Sequence, residues 1–150
     1  MSSNQSVSTL NDLIAITRDG KDFYEEAAGK VEDPGLQSLF SRFAASKSQV
    51  VAELGGAVQA AGGQPEQSGT MVGSMQQMYG KVRAALGDRN YGYVAELEES
   101  EDRLPGASKD ALKDDETPPA ARDVIGRLLP EVQGCHDVMR DRKAAMKRAH

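Results

Sequence analysis

The fold is decided by the last long stretch of the chain, Thr117–Arg148, which reads TPPAARDVIGRLLPEVQGCHDVMRDRKAAMKR. Thr117 is placed to cap a helix, and Pro118 stands at the first helical position, where a missing N–H costs nothing. The apolar residues follow three- and four-residue spacing and therefore share one helix face. They are Ala121, Ile125, Leu128, Val132, Cys135, Met139 and Met146. The pattern predicts a long amphipathic helix, helix D, that buries this face in a helical core.

Outward from helix D, the same periodicity predicts three more long helices and a short one. The compact turn Asp33–Gly35 joins helices A and B, and a connection this short makes them antiparallel neighbours. The glycine pair Gly62–Gly63 ends helix B. Pro105 and Pro130 are expected to bend helices C and D. The predicted ranges are about Ser8–Val31 for A, Pro34–Ala61 for B, Thr70–Leu86 for a short methionine-lined helix and Tyr91–Leu112 for C.

This order of elements predicts the fold class. It is an all-α antiparallel four-helix bundle with an extra short helix in the long B–C crossover, an arrangement that the ferritin-like folds share. Residues 1–7 are predicted to be a disordered N-terminal lead, and residues 8–150 a single domain, because a chain of 150 residues is the size of one ordinary domain. The aromatic content of only 5% and the absence of Trp suit helix packing better than a β-sandwich.

Charge and cysteine content narrow the partners and the compartment. The net charge of −5 argues against a general affinity for nucleic acid, which needs a basic face. Cys135 is the only cysteine, so no internal disulfide is possible and a reducing cytosol is expected. No apolar run reaches the roughly 18–20 residues that cross a bilayer, and the first residues lack a signal-peptide pattern. The sequence predicts a cytoplasmic protein that contacts neither nucleic acid nor membrane.

The di-iron sites of ferritin-like bundles follow a strict pattern that this chain does not match. Two helices each supply an inward Glu, and two others each supply Glu-x-x-His. Three residues before His136 stands Gln133, and three before His150 stands Lys147, so Glu-x-x-His does not occur. The sequence therefore predicts that a complete di-iron site is lacking.

Polar residues nevertheless fall at or beside inward positions of all four helices. Lys47 and Glu101 stand where the apolar rows of helices B and C require core residues. One interpretation is a buried polar network in which Lys47 neutralises a helix C glutamate, because an unpaired buried charge is too costly. The other is a mononuclear iron, manganese or zinc site formed by His136 with Glu98 or Glu101. The network candidates are Thr17, Tyr24, Ser46, Lys47, Glu98, Glu101, Gln133 and His136.

Three segments resemble an uncharacterised bacterial family of ferritin-like four-helix-bundle proteins, a domain-of-unknown-function family. They are TRDGKDFYEEAAGKVEDPGLQSLFSRFAASKSQVVAELGGAV (Thr17–Val58), AALGDRNYGYVAELEESEDRL (Ala84–Leu104) and HDVMRDRK (His136–Lys143). The resemblance implies the ferritin-like topology across nearly the whole chain. It implies no established reaction.

These observations favour a non-catalytic bundle that needs no cofactor, with a degenerate metal site. We expect either a stress-associated structural protein or a module that binds a protein partner, and the apolar flanks Phe23 and Val51 leave room for a homodimer. Two alternatives stay open. One is the metal protein with a single Fe, Mn or Zn ion at His136, and the other is a small-ligand binder that uses the methionine-lined helix as a lid.

Overall fold

The computed structural model describes residues 2–70 and 88–149. Every regular element within these ranges is an α-helix, which confirms the predicted all-α class. The predicted methionine-lined helix falls, apart from Thr70, outside the described residues, and so does His150. The helices are α1 (Ser2–Lys30), α2 (Pro34–Ala60), α3 (Arg89–Glu101), α4 (Arg103–Lys113) and α5 (Pro119–Ala149).

The hinge between α1 and α2 forms as its sequence predicts. The carboxylate of Asp33 accepts a hydrogen bond of 2.8 Å from the backbone N–H of Leu36, and Pro34 takes the first helical position. At the other end of the chain, α5 begins at Pro119, one residue later than predicted. Pro118 precedes another proline, whose ring disfavours a helical conformation for the residue before it.

Helix α1 begins at Ser2, whereas the sequence predicted a disordered lead over residues 1–7 and a helix from Ser8. The extra turns are in contact with the protein. Ser6 is buried, and Val7 packs against the apolar cluster that contains Leu10 and Leu54. Burial of these two side chains accounts for helix in a stretch whose composition alone favours none.

The residues predicted as helix C form two helices, α3 and α4, because the helix is interrupted at Asp102. Pro105 lacks an N–H, and its ring conflicts with the carbonyl four residues earlier, that of Glu101. The break therefore lies one turn ahead of the predicted kink at Pro105–Gly106. Pro130, in contrast, lies inside the continuous helix α5.

Contacts between side chains give the direction of each helix relative to its neighbours. Lys143 reaches Glu98, and Arg122 reaches the carbonyl of Leu112, so α5 runs antiparallel to α3 and α4. Between α2 and α5, Ser46 contacts Glu131 and Glu53 contacts Arg127, so these two helices are also antiparallel. On α1, Tyr24 contacts Glu101 of α3 and Asp19 contacts Arg103 of α4, so α1 is antiparallel to both of these helices. Neighbouring helices are thus antiparallel, and α2 is parallel to α3 and α4 on the diagonal.

The connection between α2 and α3 starts and finishes at opposite ends of this arrangement. It leaves α2 beside the start of α1, where Asn11 bonds to the carbonyl of Gln64 and to the N–H of Glu66. It arrives at α3 beside the hinge, where the N–H of Glu32 donates to Asn90. The two described ends of the connection therefore lie at opposite ends of the helices.

The core formed by the described residues consists of two apolar clusters with a polar level between them. One cluster lies toward the hinge and contains Tyr24, Phe40, Phe43, Tyr93 and Met139 among its members. The other lies toward the opposite end and contains Leu10, Ile14, Leu54, Val58 and Ile125. No helix within residues 2–70 and 88–149 has the length and apolar character to cross a bilayer.

Candidate functional site

A charged pair and a tyrosine occupy the polar level of the core. The Nζ atom of Lys47, on α2, lies 2.9 Å from Oε1 and 3.2 Å from Oε2 of Glu101, the last residue of α3. The hydroxyl of Tyr24, on α1, donates a hydrogen bond of 2.8 Å to Oε1 of the same carboxylate. Lys47 is 3% exposed, Glu101 4% and Tyr24 1%. We call these three residues the buried triad.

The apolar packing around the triad holds each group in place. The ring of Tyr24 lies edge-on to Phe43, with 5.6 Å between ring centroids, and is tilted against Phe40. Edge-to-face contacts of this kind favour one ring orientation. The phenol oxygen is thereby directed at Glu101. Glu101 is the last residue of α3 and stands immediately before the break that Pro105 causes.

Burial and the neighbouring carboxylate act together on Tyr24. Desolvation raises the pKa of its hydroxyl well above the usual value, and the negative charge of Glu101 raises it further. The phenol therefore stays protonated and serves as a hydrogen-bond donor to Glu101. With Lys47 on both carboxylate oxygens, the buried charge is both paired and hydrogen-bonded, as a buried ion must be.

Among the described residues, a glycine and a small cavity border the triad. Gly20 on α1 lies over the Lys47 stem, so that a Cβ at this position would sit 3.5 Å from Cε of Lys47. A cavity of about 10 Å³ borders the pair, which is room for a single water molecule. Its lining includes Ile16, Thr17, Ser100 and Leu104 besides Gly20 and the charged pair.

The two hydroxyl groups of Thr17 and Ser46, both predicted members of the network, bond outside the triad. The hydroxyl of Thr17, although buried, donates a hydrogen bond of 2.7 Å to the carbonyl of Leu13 in its own helix. Ser46 donates one of 2.9 Å to Glu131 near the surface, with the sulfur of Cys135 at 3.9 Å. Helical spacing placed both hydroxyls near the core, but each has a partner outside the triad.

Cys135 is buried beside the triad and is poorly suited to act as a nucleophile. Burial raises the pKa of its thiol, and the nearby positive charge of Lys47 opposes this rise without cancelling it. Reactive cysteines have the opposite character, with a lowered pKa and an accessible sulfur.

His136 lies at the rim of the core and takes no part in the buried triad. Its Nε2 is 2.6 Å from Oδ1 of Asp102, and its Nδ1 is 3.3 Å from Oδ1 of Asp137. Burial lowers the pKa of this imidazole, but its hydrogen bonds to the carboxylates of Asp137 and Asp102 outweigh burial and raise the pKa overall. Gln133 donates a hydrogen bond of 3.1 Å to the same oxygen of Asp137.

The side chains named for a mononuclear metal site go to three different partners. His136 pairs with Asp102, Glu98 with Lys143 at 3.3 Å, and Glu101 with Lys47. Across residues 2–70 and 88–149, the structure brings together no group of three or more His, Cys, Asp or Glu side chains suited to hold a metal ion.

One buried carboxylate was missed by sequence reasoning. Asp19 is 4% exposed and accepts hydrogen bonds from the backbone N–H and the hydroxyl of Thr70. Arg103 donates to Asp19 over 2.9 Å and to the hydroxyl of Thr70 over 2.6 Å. The three residues tie the segment after α2 onto α1 and α4. Asp19 lies off the apolar row of its helix, and its partners are distant in the chain, so local spacing carries no signal for this cluster.

Comparison with known proteins gives a family and no named relative. The family model described as Domain of unknown function (DUF2383) matches residues 5–114. The match takes in all three residues of the buried triad and ends before α5, which carries His136. No curated protein matches the chain.

Proposed function

The chain belongs to the family described as Domain of unknown function (DUF2383), and we propose that it is a ferritin-like four-helix bundle that binds a protein partner and catalyses no reaction. In this proposal the protein is bacterial and cytoplasmic and needs no metal or organic cofactor. Its single cysteine and acidic composition support a reducing, aqueous compartment.

The course of the chain supports the ferritin-like topology. Ferritin-like bundles contain one long crossover between two helix pairs. Here α1 and α2 form one antiparallel pair, and the broken helix α3–α4 forms the other with α5. The connection between the pairs leaves α2 beside the start of α1 and reaches α3 beside the hinge, as the ends of a crossover between parallel diagonal helices must.

The observation that carries the non-catalytic reading is the 2.9 Å contact between Lys47 and Glu101. Lys47 presents an ammonium ion to the inward carboxylate of the third helix, which is where a ferritin-like site would present a metal. A metal ion at Glu101 would have to displace Lys47 and leave its charge buried and unpaired, which is strongly unfavourable. The ammonium group of Lys47 and the carboxylate of Glu101 thereby neutralise each other.

The surface of α2 supports the partner-binding part of the proposal. Interface centres are depleted in charged residues relative to the rest of a protein surface. Helix α2 has three charged residues in 27 positions, Arg42, Lys47 and Glu53, whereas α1 has eight in 29. We call its solvent-facing side the α2 face. The α2 face comprises Ser38, Ser41, Arg42, Ala45, Gln49, Ala52, Gly56 and Gln59.

The non-catalytic part is tested by metal titration of untagged protein with Fe²⁺ (without oxygen), Mn²⁺ and Zn²⁺. We expect no binding of one ion per chain that depends on His136 or Glu101. His136→Ala is the informative variant, because its side chain lies at the rim and its loss leaves the triad intact. Ser41→Ala serves as the matched control. Stoichiometric binding that His136→Ala or Glu101→Gln abolishes, and Ser41→Ala preserves, would overturn the proposal.

The partner-binding part is tested by a photo-crosslinking amino acid at position 45, on the α2 face, in living cells. The control carries the same group at position 109, an exposed lysine on α4 across the diagonal from α2. We expect a discrete crosslinked protein from position 45 and none from position 109. Failure to crosslink any protein from position 45 would contradict partner binding.

A further inference from the structure

A groove runs beside the α2 face, between α1 and α2. It has a volume of about 360 Å³ and is open to solvent. Its floor and walls are formed by Glu25 and Ala28 from α1 and by Ser41, Ala44, Ala45 and Ser48 from α2. The α2 face and this groove share Ser41 and Ala45 and are therefore adjacent parts of one surface. The exposed side chains of the α2 face form a ridge along the edge of the groove. Helices pack by placing the ridge of one into the groove of another.

The charges near the groove are few and of opposite sign. Of the three charged residues of α2, Lys47 is buried in the triad, and Glu53 pairs with Arg127 of α5 at 3.2 Å. Arg42 remains on the α2 face, with its guanidinium carbon 5.9 Å from the ring centre of Phe43. Glu25 stands in the groove wall, where it pairs with Lys21 of its own helix and is half exposed. The α2 face thus carries Arg42, and the groove carries Glu25 together with its ion-pair partner Lys21.

We propose that the α2 face and its groove bind a second copy of this chain, as a two-fold symmetric dimer. This inference rests on the proposed function and names the partner. A two-fold interface uses the same patch on both copies, so the patch must be self-complementary. With antiparallel α2 helices and the axis between Ser41 and Ala45, each ridge faces the groove of the other copy.

Charge favours this occupant over an unrelated partner. Each chain carries a net charge of −5, so two copies repel one another at most orientations. The α2 face carries a single charged residue, Arg42, so two copies of this face repel one another little. In the two-fold arrangement, Arg42 of each copy lies near Glu25 of the other, and this pairing fixes the register. A strongly basic or acidic partner would find no matching charge here.

The dimensions of the face set the strength of the association. A helix of 27 residues is about 40 Å long and about 10 Å wide, so each copy contributes on the order of 400 Å². The total of roughly 800 Å² lies below the range of about 1,200–2,000 Å² that is typical of stable complexes. We therefore expect a dimer that forms with rising protein concentration and dissociates on dilution.

Sedimentation velocity of the full chain between about 5 and 300 µM tests the dimer in the concentration range of a weak interface. The wild type should shift from the mass of one chain, 16.1 kDa, toward twice that mass. Ala45→Glu places a carboxylate at the centre of the interface on each copy and should leave a monomer at every concentration. Lys109→Gln changes the net charge by the same amount on the opposite side and should dimerise as the wild type does. Both substitutions are at exposed helical positions, and circular dichroism establishes that each variant is folded.

An exchange of the charges at Arg42 and Glu25 tests how the two copies are aligned along their α2 helices. Arg42→Glu should weaken the dimer at least tenfold, because it sets two carboxylates against each other across the axis. Adding Glu25→Arg to Arg42→Glu should restore it. A wild type that stays monomeric throughout overturns the inference, and so does a dimer that Ala45→Glu leaves intact. In either case a crosslinked protein of different mass from position 45 would leave the proposed function standing, whereas the absence of any crosslink would remove both.

Discussion

The Nζ atom of Lys47 lies 2.9 Å from Oε1 of Glu101, and both side chains are almost completely buried between two apolar clusters. The two residues are on diagonal helices, so the pair crosses the centre of the core. Tyr24 completes the arrangement from a third helix. The buried carboxylate of Glu101 is thus neutralised by an ammonium group of the protein itself.

Replacing Lys47 by methionine should be strongly destabilising. The apolar side chain fits the space of the lysine stem but leaves the carboxylate of Glu101 buried without its counter-charge. We expect a loss of about 3–5 kcal/mol in the free energy of unfolding, measured by urea denaturation. Gln49→Met, at an exposed position of the same helix, is the control and should stay within about 0.5 kcal/mol of the wild type.

Tyr24→Phe should show that the phenol hydroxyl is a protonated donor. Loss of a hydrogen bond to a charged acceptor should cost about 1.5–3 kcal/mol, with the ring packing preserved. Because the pKa of Tyr24 is raised, the folded protein keeps a proton that the unfolded chain releases above about pH 10. The stability of the wild type should therefore fall above that pH more steeply than that of Tyr24→Phe. Equal slopes for the two proteins would contradict this assignment.

The His136–Asp102 contact should make stability depend on pH near neutrality. The pKa of His136 is raised in the folded state, so the folded protein binds the proton more tightly than the unfolded chain. The resulting stabilisation is complete below the unfolded pKa of about 6.5 and is lost as pH rises through the folded pKa. Thermal unfolding between about pH 5.5 and 8.5 should show this decline in the wild type and lose it in His136→Gln. Asp102→Asn should reduce the decline, and an NMR titration of the imidazole gives the pKa directly.

Two glycines should respond in opposite ways to alanine. A Cβ at Gly20 meets Lys47 at an ordinary packing distance, so Gly20→Ala should stabilise α1 by about 0.5–1 kcal/mol through reduced backbone entropy. A Cβ at Gly69 would collide with the Asp19 carboxylate, which is held by Arg103. Gly69→Ala should therefore destabilise the protein. Thermal unfolding of the two variants under one set of conditions is the comparison, and a stabilising Gly69→Ala would show that the segment is not held against Asp19.

Helical spacing predicts most of the triad and little of its surroundings. Lys47 and Glu101 stand on apolar rows, and a buried charge needs a partner, so periodicity predicts that Lys47 pairs with a helix C glutamate but leaves the choice between Glu98 and Glu101 open. Periodicity does not predict the partner of His136. Asp102 lies at the break between α3 and α4, and this break is caused by Pro105, which follows it by one turn. Asp19 was missed for a related reason, since Thr70 and Arg103 approach it from distant parts of the chain. Periodicity locates the core face of each helix, whereas rim contacts depend on how helices end.

The central claim, that Lys47 and Glu101 stabilise each other as a closed pair, is tested most directly by a double-mutant cycle in urea denaturation. The variants are Lys47→Met, Glu101→Met and the combination of the two. We predict that each single variant is strongly destabilised and that the double variant recovers most of the loss, because no unpaired charge is then buried. Additive losses would mean that the two residues do not depend on each other and would contradict the account.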